Sequence, residues 1–250
     1  NMPRSLARSL GFNAKNESYT TTGGNSPQIA IHELANRIKD KQIECALLSG
    51  GEALDTFVTR LKDGLEVNWS DEPGGEPEII GKSEDGTNDH EKIHGIFNPS
   101  SVYPLFANSL RGLNNQTVQE HMNDTGELFE RFSKVASKNK YSWFPIHRSA
   151  EEIALTQPEN RMIGLPYTKY MNSIMRVNQS CALILMSAKK ARELGIPTSK
   201  WVFMYAGACI NDIWNVSDRV DYSSSPAIKA CSDNVLSLIH ISEPTRPTPI

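Results

Sequence analysis

Apolar residues at Pro27, Ala30, Ile31, Leu34, Ala35 and Ile38 recur every three or four positions, which predicts a helix with one buried face. Gly23-Gly24-Asn25 just before it is a turn signal. Ser26 suits the N-cap and Pro27 the first helical position, where a missing N–H costs nothing. The unbroken apolar run Cys45-Ala46-Leu47-Leu48 then predicts a buried strand, ending in a turn at Ser49-Gly50-Gly51. The order glycine turn, helix, buried strand, glycine turn predicts α/β organisation with a parallel sheet.

Residues 63–94 are rich in Gly, Pro, Asp and Glu and predict an exposed, partly mobile excursion. Two helical patterns follow, one carrying Val102, Phe106 and Leu110, the other Val118, Met122, Leu128, Phe129, Phe132, Val135 and Ala136. They predict a helical insertion between strands. A strand pattern resumes at Cys181-Ala182-Leu183-Ile184-Leu185-Met186, then a helix over 187–194 that stops at Gly195-Ile196-Pro197. Trp201-Val202-Phe203-Met204-Tyr205-Ala206 predicts another strand, and Ser225-Pro226 starts a last helix reaching about Val235. Residues 236–250 break the pattern: Pro244, Pro247 and Pro249 forbid a continuing helix. The segment looks like a translated sequencing adapter, is set aside as non-native, and is expected to pack against nothing.

Composition narrows the function. The chain has 250 residues, 38% of them hydrophobic, which suits a globular domain or two. With a formal net charge of -3, and with Lys and Arg scattered in no block long enough for a phosphate-backbone patch, nothing in the balance suggests an anionic membrane and no nucleic-acid partner is expected. No apolar run approaches the roughly 20 residues of a membrane span. The four cysteines, Cys45, Cys181, Cys209 and Cys231, are far apart and form no CxxC pair. Cys45 and Cys181 lie in apolar runs and are expected in the core, which fits a reducing intracellular compartment. Asp89, His90, Glu91 and His94 carry metal-ligand chemistry, but they fall in a polar stretch with no element to fix them, so no metal site is expected.

Five segments in one order give the chain a resemblance to the thiolase superfamily, near the sterol-carrier-protein thiolases and the thiolase-like acetyl-CoA acetyltransferases. Thr22-Gly23-Gly24-Asn25-Ser26-Pro27-Gln28 stands where thiolases have a Cys-Gly-Ser-Gly turn before a helix. Leu47-Leu48-Ser49-Gly50-Gly51-Glu52-Ala53 matches a strand ending in Gly-Gly-Glu. Residues 102–111 and 129–136 match the helical loop domain, and residues 160–169 match the segment leading back to the sheet. The likeness covers about residues 2–235. It implies a thiolase-like α-β-α-β-α layered fold, incomplete at both ends, with a helical loop-domain insertion. It assigns 1–62 to the N-terminal half, 63–178 to the insertion, 179–235 to the last strand of that half and the start of the next, and 236–250 to the non-native tail. A homodimer in full-length form is a further implication.

The same resemblance places glycine at the nucleophile position. Thiolases hold a cysteine at a helix N-terminus, where the dipole and orphan N–H groups lower its pKa, and it takes the acyl group as a thioester. Here that residue is Gly23, so no catalytic residue is assigned. Thr22 and Ser26 are poor substitutes without an adjacent base. His32 lies six residues past Ser26 on the expected helix, roughly 9 Å along its axis. The turn reads either as an acyl-thioester cradle made of the N–H groups of Gly23, Gly24 and Asn25, with Ser26, or as a plain helix start. Residues 167–178 align with the segment lining the pantetheine tunnel, which makes Asn172 and Ser173 binding candidates. At Asn178-Gln179-Ser180 thiolases have Asn-Asp-Gly, a departure from the pattern. His147 and Arg148, after Tyr141, Trp143 and Phe144, read as a solvated loop. Three functions remain open: an acyl-CoA acyltransferase acting without the usual cysteine, a protein that binds CoA esters without turnover, and an interaction module built on the helical insertion. Acyl-CoA is substrate or ligand in the first two, and no separate cofactor is implied.

Overall fold

A computed structural model describes residues 2–69 and 73–239. In chain order its elements begin with α1 (Met2–Ser9), β1 (Ser18–Thr20), α2 (Ser26–Lys39), β2 (Cys45–Ala53), α3 (Leu54–Lys62), β3 (Glu78–Ile80), α4 (Asp89–Ile93) and α5 (Pro99–Leu113). They continue with α6 (Val118–Ala136), α7 (Ala150–Ala154), β4 (Met162–Gly164), β5 (Tyr167–Thr168), β6 (Asn178–Met186), α8 (Ala188–Glu193) and α9 (Pro226–Ile239). The described residues form two compact units, one from 2–69, 73–84, 178–210 and 228–239, the other from 85–177 and 211–227.

In the first unit β2 pairs antiparallel with β6 over nine residues, from Cys45 opposite Met186 to Ala53 opposite Asn178. The expected parallel direction is therefore corrected for this pair; the parallel pair is β1 with β3. An unbroken apolar run reports burial, while strand direction is set by the partner, which lies more than a hundred residues away in sequence. The glycine turn at 49–51 is also corrected. Gly50 and Gly51 stay in the ladder because Cys181 and Ser180 lie opposite them. Asn178 ties the start of β6 to α3: its Oδ1 accepts from the Thr56 N–H at 3.0 Å and its Nδ2 donates to Thr56 Oγ1 at 2.9 Å. α2 packs on β2 and β6 and buries Ala30.

Both sheet faces stay partly open. Side chains alternate along a strand, and Leu47 and Ile184, paired across one face, are both exposed. Cys45 and Cys181 are exposed too, which corrects their expected place in the core. The apolar run predicted a strand correctly, but a strand buries its side chains only where something covers each face. Residues 201–206 likewise form no strand: an apolar run needs a ladder partner, none pairs with it among the described residues, and Val202 and Tyr205 are almost fully exposed. Ion pairs link the pieces of this unit. Arg37 on α2 donates to both carboxylate oxygens of Glu78 on β3 at 2.7 Å and to Glu33 at 2.8 Å, and Lys190 on α8 meets Glu44 at 2.9 Å.

The stretch read as a polar excursion contains β3 and α4, a correction with a local cause. Asn88 and Glu91 make a reciprocal cap in which each side chain accepts from the other's backbone N–H at 2.9 Å. The buried Glu91 carboxylate also accepts from the Ser217 N–H, and these N–H donors hold its pKa below the usual carboxylate range.

The second unit has its core where α6 crosses α7, with Met122, Ile153, Ala154 and Met171 buried. Gly126 permits the close approach, since a Cβ there would lie 2.6 Å from the Ala150 carbonyl oxygen. Thr117 caps α6 and Ser149 caps α7. Asn160 and Thr168 are fully buried yet satisfied. Asn160 Nδ2 shares its hydrogens among the carbonyls of Glu152, Ile153 and Leu155 at 2.9–3.1 Å, and its Oδ1 accepts from the Tyr170 N–H at 2.8 Å. Thr168 Oγ1 donates to the Ile153 carbonyl at 2.8 Å.

The helices expected around Phe106 and Phe129, and those over 187–194 and from Pro226, are all present as α5, α6, α8 and α9. The last runs to Ile239, past the expected end at Val235, because the first tail proline comes only at Pro244. Leu236, expected to pack against nothing, is half-buried within it. The rest of the expected non-native tail, 240–250, lies outside the described residues. No described helix is long and apolar enough to cross a membrane.

Candidate functional site

The glycine turn leads straight into α2, 14 residues long and bearing Arg37 and Lys39 in its last turn, so its dipole is well developed at the turn end. The expected N-cap shifts by one residue: Asn25 is the cap and Ser26 the first helical residue, with no side-chain cap bond. Ser26 Oγ instead donates to the Thr21 carbonyl at 2.7 Å, and the Ser26 N–H donates to the Gly23 carbonyl at 3.1 Å. Those two bonds close the turn. Thr21 was not singled out from sequence; its contribution is a carbonyl, which side-chain patterns do not reveal.

The consequence is a row of free donors. Gly23, Gly24 and Asn25 are exposed, and their N–H groups have no acceptor among the described residues. Nothing lies within 4 Å of where a Gly24 Cβ would stand. A Cβ on Gly23 would meet Ser26 Oγ at 3.0 Å and Asn25 Oδ1 at 3.1 Å, close but not a backbone clash. Ser26 is buried with its hydroxyl engaged, so it offers no nucleophile. His32 points its Nε2 at Asn36, 3.2 Å away, while its Nδ1 is buried without a partner beside Gly207. It is no base for this turn.

Asn172 and Ser173 belong to the second compact unit and are described there alone. Asn172 Nδ2 donates to the Thr168 carbonyl at 2.8 Å, which joins it to the Asn160 network, and its Oδ1 takes no donor among the described residues. Ser173 is exposed. Asp89, His90, Glu91 and His94 do sit on and beside a helix, α4, against expectation. Glu91 is consumed by Asn88 and Ser217, and the rings of His90 and His94 stack edge to face with centroids 4.7 Å apart. No group of three metal-ligating side chains occurs among the described residues. His147 reaches Glu130 at 3.3 Å, and burial beside Arg111 pushes the pKa of His121 down.

No family model and no curated protein matches the chain. Among solved structures it is similar to a monomeric SCP2-thiolase like protein type 1 from Mycobacterium smegmatis, with 30% identity and a TM-score of 0.78. The match covers 97% of this chain and 46% of that one, so the chain spans less than half the length of the structure it matches. The fold is mixed α/β and thiolase-like.

Proposed function

We propose that this chain is part of a thiolase-superfamily protein that binds acyl-CoA at the Gly23 turn and makes no covalent acyl-enzyme there. The observation that carries the reading is the row of three unpartnered N–H groups, on Gly23, Gly24 and Asn25, at the start of α2 where the nucleophile side chain is absent. Such a row holds a thioester carbonyl oxygen and polarises it. Ser26 shapes the turn through its bond to the Thr21 carbonyl. The helical insertion over 63–178 serves as the loop domain of such a protein, in a reducing compartment. Without a thiolate the two half-reactions of a thiolase cannot be separated. Positioning and oxyanion stabilisation alone leave roughly 10³–10⁴ over water in enzymes stripped of their nucleophile. Weak direct acyl transfer fits that residue set, and thiolase-like turnover does not. A binder of CoA esters without turnover is the alternative on the same turn.

The test measures acetyl-CoA binding by calorimetry, acetoacetyl-CoA thiolysis, and trapping of a labelled acyl-enzyme, on the protein and on Gly23→Cys. Binding with no label at the turn is expected for the parent. For Gly23→Cys the expectation is an alkylatable thiol of lowered pKa. Robust turnover with label at or near residue 23 of the parent would sink the reading. An introduced thiol no more reactive than an ordinary buried cysteine would reduce the turn to a helix start.

A further inference from the structure

α6 carries two apolar stripes, and only one is used inside the protein. Met122, Gly126 and Phe129 face α7. Leu128, Phe132 and Val135, spaced four and three apart, form a separate stripe that is exposed, Val135 to 72%. The chain after α6 continues the theme. Tyr141, Trp143, Phe144 and Ile146 are all exposed in a segment tied back to the helix at Ser133, whose Oγ donates to the Arg148 carbonyl and accepts the Arg148 N–H, both at 3.1 Å. Glu130 secures the same return by accepting the Ala150 N–H at 3.0 Å. This is therefore a held surface and not a loose loop.

Its charge is as lopsided as its polarity. Residues 131–148 contain five basic side chains, Arg131, Lys134, Lys138, Lys140 and Arg148, and no acidic one, in a chain whose net charge is -3. Arg148 is paired with Glu152; the other four are exposed. Lys140 stands 4.7 Å from the centre of the Tyr141 ring, so cation and aromatic are presented together. Amphipathic aromatics beside lysines are what a headgroup layer accepts: rings settle at the boundary while ammonium groups meet anionic lipid.

We propose that the C-terminal half of α6 and the 137–147 segment form a peripheral docking face for anionic lipid bilayers. The charge argues for lipid over an apolar protein groove. Glu127 and Glu130 open this half of α6, and Glu130 is engaged by the Ala150 N–H. Beyond them the face carries exposed Arg131, Lys134, Lys138 and Lys140 with no acid among them, a set that anionic headgroups match and a neutral groove does not. The face inserts side chains and not a span, in keeping with the absence of a spanning helix among the described residues.

Co-sedimentation of the chain with phosphatidylcholine vesicles doped with phosphatidylserine, against phosphatidylcholine alone, tests this. The chain should pellet with the doped vesicles and much less with the neutral ones. Changing Lys134, Lys138 and Lys140 together to Gln should weaken partition on the order of a hundredfold. Raised salt should weaken the parent and leave the triple variant nearly unmoved. Trp143→Ser, with every lysine kept, should weaken binding in a salt-independent way. All four positions are exposed, and unchanged circular dichroism of the variants checks that folding survives. No pelleting with doped vesicles overturns the proposal, as does undiminished pelleting of the triple variant. Self-association abolished by Phe132→Ser, without vesicle binding, overturns it in favour of a protein contact.

Discussion

The α6–α7 core of the second unit and the β2–β6 sheet of the first are built on opposite principles. Around α7 every buried polar group has its partner inside the unit, and the backbones touch because Gly126 has no side chain. The sheet is a complete nine-pair ladder whose side chains remain open, with Leu47, Ile184 and two thiols facing outward. At its margin, ion pairs at the surface join α2 to β3 and α8 to Glu44 just ahead of β2. The lesson is that a backbone ladder and a packed core are separate achievements. The first needs only two strands in register, the second needs something on each face.

Asn160→Ala attacks the stronger side of that contrast and should have the largest effect. It removes the Asn160 donor from the Glu152 and Leu155 carbonyls, leaves the Ile153 carbonyl to Thr168 alone, and strips the Tyr170 N–H of its acceptor in a fully buried site, and should cost ~3 kcal/mol. Hydrogen exchange should then rise throughout α6 and α7 while the β2–β6 amides stay protected. Equal loss in the sheet would break the contrast. Gly126→Ala comes next, at about 2 kcal/mol, because the new methyl meets a helix backbone that cannot rotate away. A double cycle with Ala150→Gly should recover little, since the clash is with the carbonyl of residue 150 and not its side chain.

Arg37→Gln should have the smallest effect, about 0.5–1 kcal/mol, because its pairs are partly solvated. What marks it is its dependence on conditions. Hydrogen bonds from Arg37 and Ser18 hold the Glu78 carboxyl below its ordinary pKa. A carboxylate with a lowered folded pKa contributes stability above the ordinary carboxylate range and loses it as pH falls through the lowered value. Protection of α2 and β3 in the parent should therefore fall on acidification and at high salt, and both responses should shrink in the variant. Thermal melts at several pH values, with exchange resolved by element, check this.

Much of this was legible in the residues. Apolar spacing located α2, α5 and α6, and Gly195 with Pro197 marked the end of α8. The glycine turn was legible as a turn. What escaped depends on partners remote in sequence. The strand at 45–48 was visible, but its direction and its run through Gly50 and Gly51 are decided by residues 180–186. Burial of Cys45 and Cys181 was inferred from their apolar neighbours, whereas burial is a property of what lies above the face. The shape of the turn rests on the Thr21 carbonyl, which any residue would supply. In the sequence the basic residues of 131–148 count as scattered, because Arg131, Lys134, Lys138 and Lys140 are separated by apolar and polar positions; only their common exposure makes them one surface.

The open sheet also carries its own pair of reporters. Cys45 lies opposite Met186 and Cys181 opposite Gly50, five ladder steps apart. An odd number of steps puts the two thiols on opposite faces, roughly 17 Å apart along the strand. Whatever covers one face shields one sulfur from a maleimide and leaves the other reactive. Mass-resolved alkylation thus turns this sheet into a two-sided footprint, in which the ratio of modification at the two cysteines names the face that is covered.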